Sequence, residues 1–171
     1  MLNALKNQLA ELAKDEELFK QKVKQHAPKV YSEKVVNHLH NLILTMPELI
    51  SLISTWVHDT DMPNPVKKLN GYLLTYLYNP YDFIPDQNNG LFGYLDDAYF
   101  VGRIFIKTVN FTDYSKRHSF EKLDSLAKDV PAWMNSAKKV LPKISKKIDQ
   151  AIDSLVDGDS EKFDKLISGS D

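Results

Sequence analysis

Asn79-Pro80-Tyr81-Asp82-Phe83-Ile84-Pro85-Asp86, followed by Gly93-Tyr94-Leu95-Asp96-Asp97, is the stretch on which the fold turns. Asn-Pro is a helix-start signal, with the asparagine as cap and the proline at the first helical position. Asp82 falls at the third helical position, where a carboxylate reaches back to the cap N–H, and Tyr78 has the spacing to staple onto Phe83. Pro85 drives Ile84 out of helical geometry, so this helix is expected to last about one turn. Asp86-Gln87-Asn88-Asn89-Gly90 reads as a tight polar loop, and a helix from about Leu91 to Val109 completes a hairpin. Between Lys68 and Arg103 the chain holds four aspartates, six of its eight tyrosines and no positive charge. Carboxylates in so apolar a setting need partners, because an unpaired buried charge is costly.

Outward from the hairpin, apolar residues recur at three- and four-residue spacing. Leu2, Leu5, Leu9 and Leu12 start one amphipathic helix; Leu18, Phe19 and Val23 continue it or open a second, and Pro28 ends the segment. Ser32 reads as an N-cap, with Tyr31 and Val36 at the spacing of a hydrophobic staple. The helix that follows carries Val35, Val36, Leu39, Leu42, Ile43 and Met46, and Pro47 is expected to kink or restart it before Leu49 to Val57. A loop from Asp59 closes on Asn64 as cap and Pro65 at the first helical position, and Leu69, Tyr72, Leu73, Tyr76 and Leu77 form the next buried stripe. After a loop over 110–119, further helices are expected, interrupted at Pro131 and Pro142 and ending near Gly158 and Gly169.

These elements predict an all-α bundle of about seven or eight helices around a central two-helix hairpin, Pro65 to Val109. One compact domain is expected, divided into N-terminal helices over 1–48, the hairpin core over 49–111 and C-terminal amphipathic helices over 112–171. The length suits one domain, and the absence of cysteine removes thiolate metal sites and thiol catalysis. A formal charge of −1 favours no polyanion, and with only two arginines, Arg103 and Arg117, no nucleic-acid partner is expected. Neither a secretory signal nor a spanning segment is read from the apolar tracts, so a cytoplasmic protein is the expectation. No phosphate-loop, dinucleotide or nucleophile-elbow string occurs.

The hairpin motif resembles the signature of the YkvA-like family, a domain of unknown function, whose members typically show Ser-Pro-x-Asp-x-Ile-Pro-Asp and then Gly-Tyr-x-Asp-Asp. The stretch Asp61 to Lys68 is similar to that family's charged, proline-bearing approach to the hairpin, and the resemblance covers roughly Leu49 to Phe111. It implies an all-helical domain, sometimes membrane-associated, with no established reaction. Asn79 stands where serine is usual, which keeps the capping chemistry. The linker Gln87-Asn88-Asn89-Gly90 is polar, where relatives carry apolar residues and a second proline; this departure favours a soluble form.

Architecture is the first reading of the motif residues Asn79, Pro80, Asp82, Pro85, Asp86, Gly93, Asp96 and Asp97. Asp82 completes a capping box, Asp86 closes the loop, and Asp96 and Asp97 sit in the first turns of the next helix, where free N–H groups favour negative charge. A second reading is a Mg²⁺ or Ca²⁺ site on Asp82, Asp86 and Asp97. Its register is EF-hand-like only in part, since Gly90 comes one place early and the twelfth residue is Asp. A third makes the cluster a docking surface for a protein partner. No catalytic residue is assigned, although a metal-dependent activity seated on Asp82, Asp86, Asp96 and Asp97 is the enzyme-class alternative. Arg103, about 10 Å along the helix from Asp96, is expected either to counter the cluster or to face solvent.

Lys138, Lys139, Lys143, Lys146 and Lys147 crowd a helical stretch whose apolar face runs from Trp133 through Ile144, Ile148, Ile152 and Leu155. Such a basic amphipathic helix is expected to pack on its own core with its lysines in water; an anionic membrane surface is the alternative. The histidines are expected at surfaces or caps, His38 and His40 lying on opposite sides of one helix. The leading functional expectation is a non-catalytic interaction or scaffold protein without a cofactor.

Overall fold

A helix that is apolar on every side can satisfy itself only by being surrounded. The tract from Leu95 to Phe111 comes close to that, with Arg103 and Lys107 marking its one polar edge, and four other helices pack against it. The computed structural model describes residues 2–77, 83–84, 88–111 and 121–168. Eight α-helices, and no strand, are found among them: α1 (Leu2–Leu12), α2 (Glu16–His26), α3 (Glu33–Val57), α4 (Asn64–Leu77), α5 (Leu95–Phe111), α6 (Glu121–Val140), α7 (Pro142–Val156) and α8 (Ser160–Ser168). A short 3-10 helix, Gly90–Tyr94, leads into α5. The chain is an all-α bundle, as its periodicity predicts.

Helix α5 packs against α3, α4, α6 and α7. Its buried residues include Ala98, Tyr99, Phe100, Val101, Gly102, Ile104 and Phe105. Aromatic rings fill two of these contacts: Tyr76 of α4 stacks on Phe100 with centroids 3.8 Å apart, and Trp56 of α3 stacks on Phe105 at 5.9 Å. Phe163 of α8 meets both Tyr72 and Phe100, closing the bundle over α4 and α5. On the other side, the 3-10 helix seats α1 and α2: Gln8 Nε2 donates to Tyr94 Oη at 2.6 Å, and the His26 ring lies 4.5 Å from that of Phe92.

Local signals explain several of the boundaries. Ser32 Oγ accepts from Val35 N at 3.2 Å, as its position predicts. The first apolar run is two helices, because Asp15 Oδ1 accepts from Leu18 N at 3.0 Å and starts α2 afresh. Pro142 opens α7 at its first turn. That helix ends in a left-handed Gly158 (φ +85°), with Gly158 N bonded to Leu155 O and Asp159 N to Ser154 O. This is the paired pattern of a Schellman stop.

Three boundaries correct the sequence reading. Pro47 does not restart its helix: α3 is continuous from Glu33 to Val57. A mid-helix proline costs roughly 3 kcal/mol. Met46, Leu49, Ile50 and Ile53, all buried around it, hold the helix in place by tertiary packing. Pro131 likewise lies inside α6. The third correction is at α4, which begins at Asn64, with Pro63 O accepting from Val66 N and Lys67 N, so the cap sits one residue earlier than expected.

Close approach, not conformation, requires Gly102. A Cβ there would lie 2.6 Å from Met134 Sδ and 3.3 Å from Leu42 Cδ1, so this glycine sets how near α6 and α3 come to α5. Gly71, in the interior of α4, has open space around the same position. Replacing Gly102 with Leu is therefore expected to destabilise the fold by about 2–3 kcal/mol through overpacking. Gly71→Ala should stabilise it by about 0.5–1 kcal/mol through helix propensity. Urea unfolding of both variants measures this, and opposite signs are the expected outcome.

Candidate functional site

The acidic hairpin meets the bundle at the start of α5. Asp96 lies in the first turn of that helix and is completely buried. Its Oδ2 accepts hydrogen bonds from Phe83 N and Ile84 N, each at 3.0 Å. The carboxylate thus bonds to main-chain amides, but not to those of its own helix terminus, as the sequence suggested. It reaches back across the loop to the segment just before Pro85. That segment cannot continue as helix, so its amides need an acceptor from elsewhere. Ile84 is itself buried, which places the clamp out of water.

Of the other motif residues, Gly93 is buried within the 3-10 helix and Asp97 is half-buried. Asn79, Pro80, Asp82, Pro85 and Asp86 lie outside the described residues. Only Asp97 of the three carboxylates proposed to hold Mg²⁺ or Ca²⁺ is therefore placed. Among the described residues, no three His, Asp or Glu side chains gather in a way that could hold an ion.

Arg103 does neither thing expected of it. It turns to α7, with Nε 3.2 Å from Asp149 Oδ1 and Nη2 3.8 Å from Asp153 Oδ1. Lys107 Nζ is 2.7 Å from Asp153 Oδ1, and Lys138 Nζ of α6 is 2.9 Å from Asp149 Oδ2. Tyr99 Oη donates to Asp149 Oδ1 at 3.0 Å. Burial, reinforced by the charge and hydrogen bond of Asp149, pushes the Tyr99 hydroxyl well above its ordinary pKa and keeps it a donor. Two aspartates and three cations thereby join α5, α6 and α7. One helical turn separates Asp149 from Asp153 and another Arg103 from Lys107, which is the only trace of the pairing in the sequence.

The basic stretch divides by face. Lys138 pairs with Asp149, whereas Lys143, Lys146 and Lys147 are exposed. Ile148, Ile152 and Leu155, the apolar residues a membrane would have to receive, are buried in the bundle. No helix among the described residues is long and apolar enough to cross a membrane.

Two further polar contacts escaped the sequence reading. Thr108 Oγ1 donates to Asn70 Oδ1 at 2.9 Å, both side chains buried between α5 and α4. His38 Nδ1 of α3 and Ser136 Oγ of α6 are hydrogen-bonded at 2.8 Å. Desolvation, together with the Lys34 charge one turn earlier, lowers the His38 pKa below 6.5.

No family model, curated protein or solved structure matches the chain.

Two outcomes follow from this geometry. Asp96→Ala strips two amides of their acceptor and should destabilise the fold by about 2–4 kcal/mol, with Asp96→Asn costing roughly half as much, as read by urea unfolding. For His38, the unfolded chain binds the proton more readily than the folded one. Its contribution to stability is therefore present above pH 6.5 and lost as pH falls from 6.5 through the lowered folded value. An imidazole titration followed by NMR should give a midpoint below 6.5 that rises in Lys34→Gln.

Proposed function

We propose that the chain is a non-catalytic helical interaction or scaffold protein of the YkvA-like type, acting in the cytoplasm. In it the acidic hairpin turn is the structural linchpin, and the rim of the turn is the docking point for a protein partner. The single observation that carries this reading is the commitment of Asp96. Its carboxylate is fully buried and accepts from Phe83 N and Ile84 N. A group so placed builds the turn and is not presented to a substrate.

The charge pattern supports the docking half of the proposal. The segment between Lys68 and Arg103 contains four aspartates and no lysine or arginine. Arg103, the nearest cation after them, is taken by Asp149 and Asp153 on α7. The segment therefore carries negative charge without a counter-charge of its own, and complementary charge on a partner would steer and orient association there. Resemblance of the motif to a family without an established reaction points the same way.

Charge reversal at the rim tests this reading. Asp82→Lys with Asp86→Lys should lower the melting temperature by the loss of their caps yet leave the protein folded at the assay temperature, and should remove salt-sensitive partners captured by cross-linking in the native cell. Retention of every partner by a folded double variant contradicts the proposal. Mg²⁺ or Ca²⁺ should leave the melting temperature unchanged; a saturable rise abolished by Asp86→Asn would replace docking with a divalent-cation site on Asp82, Asp86 and Asp97.

A further inference from the structure

The first turn of α3 separates charge between two clefts. Glu33 faces α2, where Lys20 Nζ lies 3.9 Å from its carboxylate, and lines a cleft with Glu16 and His40. Lys34 faces the other way, into a cleft of about 460 Å³ between α3 and the second half of α6. Lys34 and His38 line it from α3, and Asn135, Ser136 and Lys139 from α6; no carboxylate is among its lining residues.

At its floor Ser136, which is 8% exposed, is hydrogen-bonded to His38. The helix terminus is not the recognition element. Val35 N is already capped by Ser32 Oγ, and the start of α3 and the last turn of α6 bring opposite dipole ends to the cleft. Recognition rests on the side chains: two ammonium groups with no carboxylate partner among the described residues, an amide, and a hydroxyl–imidazole pair. Burial first and the Lys34 charge second lower the proton affinity of His38, so Lys34 acts on the space that His38 lines.

We propose that this cleft binds a phosphomonoester dianion, with Lys34 and Lys139 neutralising its charge and Asn135, Ser136 and His38 bonding its oxygens. Two ammonium groups match the charge of about −2 that such a group carries near neutral pH. The volume exceeds that of a phosphate alone, leaving room for the substituent of a small phosphorylated molecule. The site is separate from the acidic turn, so it stands or falls independently of the docking reading above.

Isotope-labelled full-length protein titrated at constant ionic strength tests the assignment, with inorganic phosphate and a small alkyl phosphate as probes and chloride as control. Saturable shifts of the His38 ring and of the Ser136 and Asn135 resonances are expected with either phosphate. Tighter binding of the alkyl phosphate would identify an organic ligand, and equal binding would identify free phosphate. Lys34→Gln combined with Lys139→Gln should weaken binding at least tenfold with the melting temperature retained. Shifts that do not saturate, that chloride reproduces, or that persist in the folded double variant would overturn the proposal.

Discussion

The rest of the hairpin depends on one acceptor. Pro85 removes the helical option from the residue before it, and without an acceptor the amides of half-buried Phe83 and buried Ile84 would lose their partner. The Asp96 Oδ2 atom satisfies both at 3.0 Å. An ionised acceptor makes stronger hydrogen bonds than a neutral one, and two donors on one oxygen offset part of the cost of burying the charge. Because Asp96 belongs to the first turn of α5, the clamp ties the chain before the loop to the helix after it. That fixes where α5 starts and hence which residues enter the core.

Everything else is arranged around α5. Stacked aromatic pairs join it to α3 and α4, Gly102 admits α3 and α6 to close range, and the Arg103, Lys107, Asp149 and Asp153 group joins it to α7. The polar ties sit toward the solvent edge of the α5–α7 contact, with the Arg103 side chain 28% and that of Asp153 49% exposed. Such pairs specify register more than they stabilise, since partly exposed ion pairs contribute about 1 kcal/mol or less. The apolar seam between the helices supplies the bulk of the stability. Division of labour of this kind leaves Lys34 of α3 and Lys139 of α6 free to share a cleft that no carboxylate lines.

Local signals were the legible part of the fold. The Ser32 cap, Pro142 at a helix start, Gly158 at a helix stop and the helical period of each apolar stripe are written within a turn or two of where they act. The Asp15 cap carries a local signal as well, an aspartate followed by Glu16 and Glu17 in the first turn, although the apolar spacing alone leaves open whether α1 continues. Pro47 and Pro131 do not break their helices, because a proline states only a local penalty and packing against neighbouring helices outweighs it. Asp96 was recognisable as a buried acid that bonds amides, yet its partners are twelve and thirteen residues earlier, across a loop whose path the sequence does not specify. Arg103 finds Asp149 by tertiary packing, as His38 finds Ser136; the one-turn spacings of Arg103 with Lys107 and of Asp149 with Asp153 hint at the first pairing without naming the partner, and nothing in the sequence marks the second.

Native-state hydrogen exchange at Phe83 and Ile84 addresses the clamp most directly, because it reads the two amides themselves. If Asp96 holds them, both exchange far more slowly than an unstructured peptide, and in Asp96→Asn both accelerate while amides in the middle of α3 keep their relative protection. Exchange of both amides at the unstructured rate in the parent protein would contradict the account.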